Sequence, residues 1–331
     1  MRSLLKFLFV VLAGAAALLA AALWWLNAPA HVAQEGPLTL SIEPGMSAQG
    51  AASAVAAAGA PFHPTLLHAW FRLSGKDRRI KAGNYEIETG VTPRSLLERL
   101  IQGDDKMESV TLVEGWNFRQ LLLALRKDGS LRADTQGLSP ETIMGLLGRP
   151  GQHPEGRFFP DTYNYSKGSS DLLLLQRALR AMDRKLGVAW GQRAADIPLQ
   201  NPEQALILAS IVEKETGRAG ERPMISSVFN NRLKIGMMLQ TDPTVIYGLG
   251  ERFDGNLRKV DLLTDTPWNT YTRSGLPPTP IAMPGTASLL AAVKPAASTA
   301  LYFVARGDGS SEFSNTLEEH NRAVNRYQRK P

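Results

Sequence analysis

The strongest constraint on this chain is a run from Phe7 to Leu26 that carries no charge. It is about 20 residues long, the length a helix needs to cross the hydrocarbon core of a bilayer. Arg2 and Lys6 precede it, and Trp24 and Trp25 close it. Positive residues mark the cytoplasmic side and indole rings favour the membrane interface. The run therefore reads as a single-pass anchor over residues 1–27, with the N-terminus in the cytoplasm and the rest of the chain beyond the membrane. A cleaved signal peptide is the competing reading, because Ala20 to Ala22 offers small residues. Its apolar core would be longer than the usual 7 to 15 or so, which favours the anchor.

The remainder is ordinary for folded protein, with 44% hydrophobic and 21% charged residues. The 37 basic and 31 acidic residues are spread along the chain. No dense Lys/Arg run marks a nucleic-acid partner. Cysteine is absent, which excludes disulfides, thiolate metal sites and a cysteine nucleophile. The five histidines, His31, His63, His68, His153 and His320, form no paired metal-binding spacing. There is no Gly-x-Ser-x-Gly elbow for a serine hydrolase.

Residues 28–37 are rich in Ala and Pro and read as a short linker. A small α+β module is expected over 38–105. It comprises a strand over Leu38–Ile42, a turn at Pro44-Gly45, helices over 47–58 and 64–74, a return strand over 82–87, and a helix capped by Thr92-Pro93 and stopped by Gly103. A larger mixed α+β unit is expected over 106–331. It begins with a strand over Val110–Val113 and a helix over Phe118–Arg126. A polar section over 128–150 follows, then Glu155 to Tyr163, whose mixture of aromatics, charges and proline fits either a site-lining loop or a packed turn. A long helix is expected from Ser170 to Lys185, and a C-terminal strand pair over 301–305 and 312–314 leads to a helix from Leu317.

Asn201-Pro202-Glu203-Gln204 has every mark of a helix start: an N-cap Asn, Pro at the first position, an acid in the first turn and Gln at the capping-box position. Ala205 to Val212 is apolar on all faces, so the helix should be buried. It ends in Glu213-Lys214-Glu215-Thr216-Gly217. At about 100° per residue the two glutamates face nearly opposite sides. Glu215 continues the stripe of Leu208, Ile211 and Val212, and Glu213 that of Leu206, Ala209 and Ser210. A carboxyl in apolar surroundings has its pKa raised and can act as a proton donor. Acids at a helix C-terminus also oppose its dipole, which disfavours a purely structural role. Periodicity leaves both glutamates open. Two polar, proline-stiffened loops follow, Leu239–Gly248, where Asp242 is expected to cap a short helix, and Asn269–Ile281. Their amide, hydroxyl and aromatic groups suit sugar recognition.

Ala209 to Thr216, Leu239 to Gly248, Asn269-Thr270-Tyr271, Gly275-Leu276-Pro277-Pro278 and Tyr302-Phe303-Val304 resemble the MltG (YceG-like) family of endolytic murein transglycosylases. Glu114-Gly115 and Phe159-Pro160-Asp161-Thr162 fit as well, and the small module is similar to a LysM domain. The resemblance extends over nearly the whole chain. It implies cleavage of the bond between N-acetylmuramic acid (MurNAc) and N-acetylglucosamine (GlcNAc) in nascent peptidoglycan strands, leaving a 1,6-anhydro end and terminating chain growth. It implies Glu215 as the catalytic acid and base. It further implies Glu213, Gln240, Thr241, Asp242, Tyr247, Asn269, Tyr271, Leu276 and Pro277 as substrate-binding residues. No cofactor is implied. The implied setting is the cytoplasmic (inner) membrane with the catalytic domain in the periplasm, acting on glycan strands alongside peptidoglycan synthases. Ordinary glycosidases use two carboxylates. A tethered C6 hydroxyl makes one sufficient, because the nucleophile is held at high effective concentration. A hydrolytic muramidase pairing Glu215 with Asp242 or Glu213, and a non-catalytic wall-binding scaffold, are the competing readings.

Overall fold

The computed structural model describes residues 2–30, 38–43, 45–87, 90–103 and 107–328. Of the features read from sequence, residues 31–37 of the linker, with His31, lie outside the described residues. Pro44 of the first turn and the boundary at 105/106 do as well. The chain divides into two compact units, residues 1–109 with 164–169, and residues 110–163 with 170–331.

The first unit begins with α1 (Arg2–Asn27), the one helix among the described residues long and apolar enough to cross a membrane. It is not followed by free chain. Leu26 is buried and Ala30 lies in the unit's core, and Ala30 exchanges backbone hydrogen bonds with Val91 and Gly90 at 2.8 Å. β1 (Leu38–Ile42) and β2 (Gly83–Ile87) pair antiparallel, with Leu40 opposite Tyr85. The alternation of Leu38, Leu40 and Ile42 puts all three on the buried face. Between the strands, α2 (Ala48–Ala57) packs on α3 (Pro64–Leu73). The small Ala51 and Ala52, fully buried, allow the helices to approach closely. α4 (Pro93–Gln102) carries the expected Thr92 cap and ends at Gly103, whose φ of 85° suits glycine.

The chain passes between units along β3 (Met107–Thr111) and β4 (Thr162–Ser166), which form a two-stranded sheet. The strand expected at Val110–Val113 thus starts three residues earlier and ends two residues earlier, and just beyond it Leu112 donates its N–H to Asp161 O at 2.9 Å. α5 (Phe118–Lys127) has an Asn117–Gln120 capping box. The supposedly irregular section 128–150 contains α6 (Pro140–Leu146), whose Ser139-Pro140-Glu141 start is a cap signal in its own right. The aromatic segment is packed, with Pro154 to Pro160 all buried, and its Glu155 also lines a cavity. Gly156 sits at φ 75°, and a Cβ there would lie 2.5 Å from Pro280.

α7 (Asp171–Gly191) runs past the expected end at Lys185, because Leu186 and Ala189 extend its buried face. α8 (Pro202–Glu215) starts at the Asn201 cap as expected. Gln204 does not close the box; its side chain accepts from Gln200 N at 2.8 Å instead. Every residue from Ala205 to Val212 is buried. Burying each of Leu206, Leu208 and Ile211 contributes about 1.5–3 kcal/mol. α8 is wrapped by α7, α9 (Arg222–Lys234), α10 (Asp242–Leu249) and α12 (Thr286–Val293), with the short α11 (Lys259–Leu263) beyond α10. α10 corrects two readings. Leu239–Gly248 is mostly helix rather than loop, and its cap is Thr241, not Asp242, which occupies the first turn. The hairpin of β5 (Tyr302–Ala305) and β6 (Ser311–Ser314) and the closing α13 (Leu317–Tyr327) lie where the sequence puts them.

Candidate active site

Three consecutive side chains at the end of α8 go to three places. Glu213 accepts from Arg222 Nη2 at 3.1 Å and from Gly285 N at 2.9 Å, with its side chain 5% exposed. A Cβ at position 285 would displace the carboxylate of Glu114, the far end of a half-exposed side chain. Lys214 donates to Gly115 O at 3.3 Å. Glu215, half-buried, accepts from the hydroxyl of Thr241. Beyond it Thr216 is extended, which stops the helix.

Thr241 is held by a cluster of hydroxyls. Its N–H donates to Thr270 Oγ1 at 3.1 Å, and its carbonyl accepts from Thr244 Oγ1 at 2.8 Å. The preceding Gln240 has φ 47°, the one non-glycine residue with positive φ among the described residues. A bulky residue there costs on the order of 1–3 kcal/mol and persists only where its surroundings impose it. The imposing group is Arg232. From α9 it donates to Leu239 O and to Leu301 O, each at 2.7 Å, fixing the segment before Gln240 against the lead-in to β5. Gln240 N donates to Thr270 O at 3.1 Å on the other side.

Glu215, Arg232, Gln240, Thr241, Asp242, Tyr271, Tyr302 and His320 line a cavity of about 570 Å³. Arg232 lies over the Tyr302 ring at 5.3 Å, and Tyr302 stacks on His320 at 5.2 Å. Tyr271 donates its hydroxyl to Asp242 Oδ1 at 2.6 Å. Burial pushes the Glu215 carboxyl up to about 6; the Thr241 hydroxyl opposes the rise, the Asp242 charge adds to it and Arg232 opposes it. Burial lowers the Arg232 pKa, and burial with the Asp242 bond raises that of Tyr271. An acid so tuned can donate a proton near neutrality and then hold the resulting charge. Among the described residues no group of three His, Cys, Asp or Glu is placed to hold a metal.

Residues 40–326 match the profile of the YceG-like family. The chain belongs to the YceG-like family. An endolytic murein transglycosylase of Bacillus subtilis (strain 168) is 32% identical over 266 residues, covering 75% of this chain and 73% of its own length. One of Streptococcus pneumoniae (strain ATCC BAA-255 / R6) is 26% identical over 324 residues, covering 87% of this chain. This chain spans 58% of the length of that pneumococcal relative. The crystal structure of a YceG-like protein from Listeria monocytogenes aligns with a TM-score of 0.54 at 28% identity, covering 87% of this chain and 99% of that one.

Within this YceG-like chain the structure gathers Glu215, Gln240, Thr241, Asp242 and Tyr271 around one cavity. It does not bring the other candidates there. Asn269, fully buried, donates to Asp261 O, Leu262 O and Thr264 O and accepts from Tyr271 N, so it braces the loop. Leu276 packs on the core and Pro277 is buried. Glu213 is engaged by Arg222 and Gly285, and Tyr247 lines a different cavity. The acid that shares the Glu215 cavity is Asp242. Sequence reasoning missed Arg232 and His320. The signal for Arg232 was the polar run Ser226, Ser227, Asn230, Asn231 within α9, buried or half-buried and so implying partners.

Proposed function

We propose that this YceG-like protein is an endolytic murein transglycosylase that cuts the MurNAc–GlcNAc bond within nascent glycan strands, with Glu215 as its acid and base. The observation that carries this reading is the half-buried Glu215 carboxyl, raised to about 6 and held by a single hydroxyl, at the wall of an open cavity. Its relatives' name supplies the substrate class.

Glu215 in its acid form donates a proton to the bridging oxygen as the bond from the muramic C1 breaks. The C6 hydroxyl of the same sugar bonds to C1 and passes its proton to the Glu215 carboxylate, which restores the acid. No water is consumed and the muramic residue ends as its 1,6-anhydro form. One carboxylate suffices because the nucleophile is tethered. While Glu215 is ionised, the Thr241 hydroxyl and the Arg232 charge stabilise it; both lower its pKa. Gln240, Asp242 and Tyr271 present amide, carboxylate and phenol groups to the sugars. The reaction calls for no cofactor. In this reading α1 anchors the chain in the cytoplasmic membrane with both units in the periplasm. The first unit acts as a LysM-like glycan grip, and cutting near the bilayer ends the growth of strands made by peptidoglycan synthases.

Asp242 in the same cavity favours one competing reading, hydrolysis with Asp242 as the second carboxylate. Sacculi digested with the full chain and with Glu215→Gln, analysed by mass spectrometry, decide between them. The expected result is anhydro-muramyl ends from the wild type and none from the variant. Reducing muramyl ends would establish hydrolysis, and anhydro ends from the variant would remove Glu215 from the chemistry.

A further inference from the structure

A second cavity of about 690 Å³ is lined by residues next in sequence to those of the first. Lys214 lines it while Glu215 lines the Glu215 cavity, and Pro243 lines it while Asp242 lines the other. The backbone thus passes from one lining to the other within a single residue at two separate points. The second cavity has an aromatic side, where Trp268 meets Tyr247 edge to face at 5.5 Å with Phe253 nearby, and an amide side formed by Asn117 and Gln120 at the start of α5. At its base is Glu155, 3% exposed. Its carboxylate accepts from Phe118 N at 3.1 Å and pairs with the Tyr247 side chain, tying α5 to α10 across the cavity. The cavity is thus a built feature, its two sides fastened to one buried acid.

We propose that this cavity continues the glycan site, so that the strand crosses the Lys214–Glu215 and Asp242–Pro243 border. Sugars on one side of the cut bond lie in the Glu215 cavity, and those on the other lie between Trp268, Phe253 and the amides of α5. The inference rests on the reading of Glu215 as the catalytic acid. An enzyme that cuts inside a polymer must hold rings on both sides of the bond, and the cavity's volume falls in the range of ordinary ligand sites. The occupant is a run of N-acetylated hexosamines. Their ring faces suit the aromatic side, and their acetamido groups suit Asn117 and Gln120. Lys214 at the border is a cation for the lactyl carboxylate of peptide-free muramic acid. An ammonium has three donors, and the bond to Gly115 O engages one of them.

The test uses the full chain in detergent micelles and peptide-free MurNAc–GlcNAc oligomers of increasing length. For the wild type, kcat/KM should climb with length as rings reach the second cavity. In Phe253→Ala the ratio of kcat/KM on the longest to the shortest cleaved oligomer should fall roughly fivefold. Lys214 at the border meets the muramic acid of every cleaved oligomer, so Lys214→Met should lower kcat/KM on all lengths and leave the ratio unchanged; Lys214 is exposed, and the variant keeps the fold. Calorimetric binding of the longest oligomer to Glu215→Gln should weaken by a similar factor when Phe253→Ala is added. An unchanged ratio and unchanged binding in the Phe253 variant would overturn the proposal. Wild-type turnover by Glu215→Gln alone would instead strike at the catalytic reading, and the binding measurement, which needs no turnover, separates the two failures.

Discussion

Replacing Glu215 with Gln should make the folded protein more stable at alkaline pH while removing its activity. The unfolded carboxyl loses its proton near 4.5 and the folded one near 6, chiefly because burial disfavours the charge. Between those values the folded chain holds the extra proton. Stability is therefore intact below about 4.5, falls as pH rises through about 6, and stays reduced above it. At about 1.4 kcal/mol per tenfold change, the ionised group costs the fold about 2 kcal/mol, trimmed to about 1–2 because Glu215 is half-buried and partly screened. Gln does not titrate, and its carbonyl oxygen can still accept from Thr241. The variant's advantage should be about 1–2 kcal/mol at pH 8 and vanish near pH 4. For a unit of roughly 200 residues that is a rise of about 4 °C in the catalytic unit's midpoint. Differential scanning calorimetry of both proteins across pH 4 to pH 8 measures it. A variant less stable than wild type at pH 8, or an advantage independent of pH, would refute the account of Glu215 as an acid under desolvation strain.

Thr241→Val removes a hydroxyl that holds the Glu215 carboxyl down. The alkaline limb of the kcat/KM profile should move above pH 6, with the maximal rate falling roughly tenfold or more as the carboxylate loses the Thr241 hydroxyl. Gln240→Gly relieves the left-handed backbone at φ 47°. Its thermal midpoint should rise by the equivalent of about 1 kcal/mol while kcat/KM falls with the lost amide, and a lower midpoint would mean that no strain is stored there. Gly285→Ala drives a Cβ into the Glu114 carboxylate and disturbs the Gly285 N–Glu213 bond. Because the half-exposed Glu114 carboxylate can move aside, a loss of at most about 1 kcal/mol in denaturant titration is expected.

Local chemistry made α8 legible from end to end. An Asn cap, a first-turn Pro and a run of eight residues of which all but Ser210 are apolar act within the helix itself, and all were found in place. The first unit was readable because the alternation of β1 and the Thr92 cap lie in adjacent residues, although β1 finds its partner β2 at the far end of the module. α9 was not. Asn231 donates to Ser298 O and Ala300 O, and Arg232 to Leu301 O, all from chain nearly 70 residues away. Polar side chains so engaged look like an exposed face until the partner segment is seen. The same applies to Asp242, expected as a helix cap and found receiving the Tyr271 hydroxyl from another loop. The two glutamates of α8 were equivalent by periodicity. What separates them is the company each keeps: Glu213 faces an arginine and a backbone amide, while Glu215 faces one hydroxyl and open space.

The join between α1 and the first unit bears on how the protein can reach anything. Ala30 belongs to the unit's core, Trp25 packs against it, Leu26 is buried, and the Ala30 backbone is bonded on both sides. Asn27 to Ala30 spans at most about 10 Å. With α1 in a bilayer, the first unit would stand directly on the membrane surface, its height fixed like a foot rather than paid out like a cord. The span would be part of the folded unit itself. A truncation made just after Leu26 would leave Ala30 in place but strip two packed side chains from the core, so a soluble version should be cut within α1 and keep Trp25 and Leu26.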